Sequence, residues 1–115
     1  MKKYNLEDFK LGWIIGNFEP SILRTDQFEV SIKKYKKGDY EKAHIHKLAD
    51  EITIITVGKV LMNGEEYKAN DIIVIEKGEA TDFKVLSDTI TVVVKTPSVP
   101  SDKYIAEHLN LSDIG

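Results

Sequence analysis

The sequence predicts a small all-β barrel, and three observations lead there. From Phe28 to about Thr96, short β-rich runs alternate with turn residues. No long helical period interrupts them. The whole chain has 115 residues, the usual size of one domain with one core.

In chain order, Leu11 to Phe18, with Trp13-Ile14-Ile15-Gly16, reads as an extra strand within an N-terminal segment over 11–24. It is expected to cover the barrel or pair with a second chain, with Trp13 and Phe18 as packing or interface residues. The barrel proper runs over about 26–96. Phe28, Val30 and Ile32 alternate with Glu29, Ser31 and Lys33, which gives one apolar and one wet face. Lys37-Gly38-Asp39 ends that strand. Ala43 to His46 follows, and then Ile52-Thr53-Ile54-Ile55-Thr56-Val57, dense in β-branched residues. Asn63-Gly64, between Val60-Leu61-Met62 and Glu65-Glu66-Tyr67, is a two-residue hairpin signal, because a type I′ turn needs positive φ at both positions. Asn70-Asp71 turns the chain into Ile72-Ile73-Val74-Ile75, and Lys77-Gly78-Glu79-Ala80 turns it into Thr81 to Leu86. After Ser87-Asp88 comes Thr89 to Lys95, and Pro97 and Pro100 close the sheet pattern. Ser101-Asp102-Lys103-Tyr104 begins like a capped helix, so a short helical tail over 101–110 is expected, with Tyr104, Ile105 and Leu109 at helical spacing and His108 on its surface.

Composition narrows the function. There is no cysteine, which removes thiolate chemistry, disulfides and Cys-ligated metals, and suits a cytoplasmic setting. Sixteen basic and nineteen acidic residues are dispersed along the chain for a net charge of −3, without the basic stripe of a nucleic-acid surface. No run reaches the roughly 18 to 20 apolar residues of a membrane span, and a soluble protein without an export signal is expected. The expected partners are a small molecule and a second copy of the chain.

The chemistry concentrates at Gly38, His44, His46, Glu51 and Gly58. On a strand, His44 and His46 project to one face, and Glu51 opens the next strand into the same space. Two imidazoles and a carboxylate suit Fe, Mn, Zn, Ni or Co and leave positions open for water or substrate. Tyr40, Tyr67 and Thr53 are further candidates near the mouth, the tyrosines as hydrogen-bond donors to a substrate oxygen.

These five residues resemble the first cupin motif, G-x5-H-x-H-x4-E-x6-G, with every spacing matched. The resemblance implies a single cupin barrel, a double-stranded β-helix or jelly roll. The second motif, G-x5-P-x-G-x2-H-x3-N, is degenerate: aligned on Gly78, its other positions hold Asn70, Glu76, Thr81 and Val85. In metal-binding cupins that histidine completes a three-His, one-carboxylate set. Here Thr81 stands in its place, and Asp82 is a substitute only if a bulge re-aims the strand.

Three readings follow. One is a metal-dependent small-molecule enzyme, an oxygenase, isomerase or lyase, with a two-His, one-carboxylate site and a carbohydrate-type or small polar substrate. Another is a metal-free isomerase or epimerase acting on a nucleotide-linked sugar. The last is a non-catalytic metabolite-binding protein.

Overall fold

In the computed structural model, described over residues 1–106, the chain forms eleven strands: β1 (Trp13–Gly16), β2 (Leu23–Arg24), β3 (Glu29–Tyr35), β4 (Tyr40–Ile45), β5 (Asp50–Val57), β6 (Lys59–Met62), β7 (Glu65–Lys68), β8 (Ile72–Ile75), β9 (Thr81–Val85), β10 (Thr89–Thr96) and β11 (Tyr104–Ile105). They build a six-stranded sheet, β2-β1-β3-β10-β5-β8, and a five-stranded one, β11-β4-β9-β6-β7. Inward side chains of both sheets meet in an apolar cluster of Ile55, Val60, Met62, Phe83 and Val85, with Tyr35, Tyr67, Ile73 and Ile75 packed against it. This cluster fills one part of the interior and leaves the rest to polar residues.

The expected turns form as read. Asn63 and Gly64 both take positive φ, and β6 and β7 pair in register across them. Asn70 adopts φ 79°, which supplies the left-handed residue that the second motif's glycine would provide. Gly58 alone separates β5 from β6 at φ 101°, where a Cβ would lie 2.2 Å from Thr89 Oγ1. No other residue type fits that corner.

Three expectations are corrected. Residues 104–105 are strand, not helix: Tyr104 pairs with Ile45 and Ile105 with His44. The rest of the expected tail, including His108 and Leu109, lies outside the described residues. On β3 the faces are reversed, with Glu29 and Ser31 buried in the interior beside Lys33 and Tyr35. Val30 and Ile32 take the opposite face. The N-terminal segment does not lie over the barrel, because β1 extends the six-stranded sheet by pairing antiparallel with β3 and turns Trp13 into the cavity wall. A barrel with a polar cavity inverts the usual rule that the apolar face of a strand points inward.

Candidate metal centre

Strand pairing sets the site. On β5, alternation turns Glu51, Thr53 and Ile55 inward, while β10 places Lys95 directly between Glu29 of β3 and Glu51 of β5. His44 lies opposite Thr81 across the β4–β9 pair, after a register shift between Glu41 and His44. His46 follows the end of β4. His44, His46, Glu51, Thr53 and Thr81 thereby line one cavity of about 50 Å³, together with Tyr35 and Glu41.

His46 is 5% exposed, and its orientation comes from Asp102, which lies just before β11. The Asp102 carbonyl can only accept, so His46 Nδ1 carries a proton and donates it there. The Asp102 carboxylate accepts three backbone N–H bonds, from Lys47, Leu48 and Ala49 at 2.9, 2.8 and 3.0 Å. One buried residue therefore holds both the loop between β4 and β5 and the ring it presents.

With Nδ1 committed, His46 Nε2 faces Glu51 Oε1 at 3.3 Å and is buried without a hydrogen-bond partner. In the neutral ring that is acceptor against acceptor, a contact satisfied only by a proton or a cation between the two atoms. Two ligands bound to one transition ion at about 2.0–2.2 Å stand roughly 3.0–3.5 Å apart. The observed spacing falls in that range. Thr53 donates to the other carboxylate oxygen at 2.7 Å, which leaves Oε1 turned to His46. Burial by itself would raise Glu51, but with a proton on His46 Nε2 the hydrogen bond it donates, the Thr53 hydroxyl and the nearby Lys95 charge outweigh burial and hold the carboxyl at about 2.

His44 is held below its ordinary value chiefly by burial, so its ring stays neutral and able to ligate. Its Nδ1 lies 3.1 Å from the Lys42 carbonyl, which leaves Nε2 as its free lone pair. The two rings are edge to face with centroids 5.2 Å apart. Among the described residues, no group of three His, Cys, Asp or Glu side chains is already gathered into a cage. His46 and Glu51 are set at ligand spacing, and His44 lines the same cavity beside them.

The remaining candidates are placed as follows. Thr81 is buried, lines the cavity and donates its hydroxyl to the Asp82 carbonyl at 2.8 Å. Asp82 borders the same cavity, but its Oδ1 accepts from the Asn63 backbone at the hairpin turn, 2.8 Å away. Tyr40 is 57% exposed and does not line the cavity. Tyr67 packs on the apolar cluster and donates to Glu65 at 3.0 Å, also away from it. The tyrosine that does line the cavity is Tyr35, whose hydroxyl donates to Glu41 at 3.1 Å and is pushed up by burial and by that carboxylate. Lys33, Lys95, Lys103, Glu41 and Trp13 also line it, none of them among the sequence candidates. Alternation would have found Tyr35 had Lys33 been read as inward.

No protein-family model matches the sequence, and no curated protein matches it. Solved structures do. A Klebsiella pneumoniae protein with a double-stranded β-helix domain is 21% identical at TM-score 0.65, over 72% of this chain and 73% of that one. An RmlC-like cupin from Shewanella frigidimarina is 14% identical at TM-score 0.62, over 66% and 71%. The DMSP lyase DddQ from Ruegeria pomeroyi is 17% identical at TM-score 0.69, over 85% of this chain and 51% of that one.

Proposed function

We propose that this chain, which has the cupin fold, is a small-molecule enzyme whose reacting centre is the His44–His46–Glu51 cluster with a divalent transition ion, Fe, Mn, Zn, Ni or Co. The observation that carries this reading is the buried, unpartnered His46 Nε2 at 3.3 Å from Glu51. His44, His46 and Glu51 would hold the ion, which supplies a Lewis acid with open positions for substrate or water.

The chain's own residues prepare the site. The Asp102 carbonyl fixes the His46 tautomer so that Nε2 points into the cavity. Thr53 orients the Glu51 carboxylate, and its hydroxyl and the nearby Lys95 charge favour the ionised form. Tyr35 and Glu41 form a second hydrogen-bonded pair on the same wall, able to hold a proton at the tyrosine oxygen. A saturating ion that binds only the folded state at 100 times its Kd should stabilise it by about 2.7 kcal/mol. Thermal melts of the wild type with added Mn²⁺ or Zn²⁺ should show that rise, and Glu51→Gln should lose most of it. An equal rise in both proteins would rule the triad out.

Thr81 at the fourth-ligand position favours a second reading, a metal-free site in which a proton joins His46 Nε2 to Glu51 and the pair acts as acid and base. Turnover indifferent to a strong chelator would select that reading.

We further propose a homodimer through the outer face of the six-stranded sheet. There Ile52 and Ile54 of β5 lie in register with Val74 and Ile72 of β8 and with Val94 and Val92 of β10. Ile72 and Val74 are 65% and 59% exposed, an apolar surface suited to a self-complementary two-fold contact. Light scattering should give a dimer, and Val74→Glu, placed at an exposed position that folding does not need, should give a monomer. A monomeric wild type at high concentration would contradict this.

A further inference from the structure

We propose that the cleft beside Trp13 binds a small organic carboxylate, with its anionic group held by the ammonium groups of Lys33 and Lys95. This rests on the reading of the His46–Glu51 cavity as the reacting centre and names the class of molecule delivered to it.

Size is the first argument. The cavity around His46 and Glu51 measures about 50 Å³, room for a water or two but not for a metabolite. The adjoining cleft measures about 330 Å³, within the range of small-ligand sites. Trp13, Lys33, Lys95 and Lys103 line both. A ligand seated in the cleft therefore lies across these four side chains from the reacting centre.

Charge is the second. Lys33 Nζ and Lys95 Nζ lie 5.1 and 4.9 Å from the centre of the same indole ring. Neither ammonium makes an ion pair or hydrogen bond with a described residue, although Lys95 stands in register between Glu29 and Glu51. The carboxylates around them have closer partners: Glu51 touches His46 and Thr53, Glu41 touches Tyr35 and Lys103, and Glu19 touches Arg24. Burial raises Glu29 and disfavours its charged form. Two half-buried cations share one ring, and among the described residues neither has a carboxylate within ion-pair distance, although Glu51 and Glu29 stand near Lys95; an incoming carboxylate would supply that direct partner.

Shape is the third. Trp13 meets Phe18 edge to face at 6.3 Å, and Leu11 and Pro20 continue the wall. The body of the ligand beyond its carboxylate is therefore apolar or flat.

Trp13 is the only tryptophan in the chain, so its fluorescence reports on this cleft directly. Sodium propionate and sodium succinate, titrated at constant ionic strength, should change that emission saturably, while propionamide and succinamide should not. Lys33→Met and Lys95→Met should each weaken carboxylate binding by roughly tenfold. Lys95→Arg, which keeps the charge, should retain most of it and shows that the loss is not one of folding. The same titration in His46→Ala, with a chelator present, separates the two sites: binding that persists there supports an anion site independent of any ion. Binding that vanishes in His46→Ala but survives both lysine-to-methionine changes would overturn the proposal. So would the absence of saturable binding by either carboxylate, or an equal response to the amides.

Discussion

Asp102→Ala is expected to destabilise the protein by about 3–5 kcal/mol. The carboxylate is buried and accepts three backbone N–H bonds from the loop that joins β4 to β5. Removing it leaves three donors without their acceptor, and at least the Ala49 N–H is shut off from water. Each hydrogen bond to a charged group contributes about 1.5–3 kcal/mol, and partial relaxation of the loop recovers some of the sum. For a chain of this size the melting temperature should fall by about 10–20 °C. Asp102→Asn keeps one acceptor oxygen and should lose distinctly less. Denaturant melts check both variants, with the midpoint moving and the slope unchanged. A loss below about 1 kcal/mol in Asp102→Ala would mean the loop holds itself.

Thr81→His is expected to tighten divalent-ion binding by roughly 100-fold. Thr81 faces His44 across the β4–β9 pair and lines the same cavity, so an imidazole there joins His44, His46 and Glu51. A fourth protein ligand replaces a water on the ion and adds affinity with little new ordering, because β9 is already paired on both sides. The larger ring must fit where a buried threonine stood, and overpacking of about 1–3 kcal/mol would appear as lower stability of the metal-free variant. Competition against a chromophoric chelator measures the affinity. An unchanged affinity would place the ion away from Thr81.

The parts of the fold that were legible in the sequence are those governed by local chemistry. Asn63-Gly64 and Asn70 take the positive φ that their turns need, and Gly58 closes a corner where a Cβ would strike Thr89. His44, His46 and Glu51 line one cavity, as the alternation of the two histidines and the start of the next strand at Glu51 led one to expect.

Two things were hidden for physical reasons. Ser101-Asp102 looked like the capped start of a helix because serine and aspartate side chains accept backbone N–H bonds. Asp102 does so here, but from residues 47–49, more than fifty positions away, which a local pattern does not show. On β3 the alternation itself was legible, but its direction depends on whether the barrel is filled or hollow. A hollow barrel turns Glu29, Ser31, Lys33 and Tyr35 inward, and with that reversal the cavity gains Lys33 and takes its tyrosine from Tyr35, where Tyr40 and Tyr67 had been expected.

The proposed metal centre is tested most directly by elemental analysis of untagged protein, comparing the wild type with His46→Ala and His44→Ala, each checked for folding by circular dichroism. The wild type should carry close to one equivalent of a transition ion per chain, and both variants should carry little or none. Equal metal content in all three proteins would contradict a site built on these histidines.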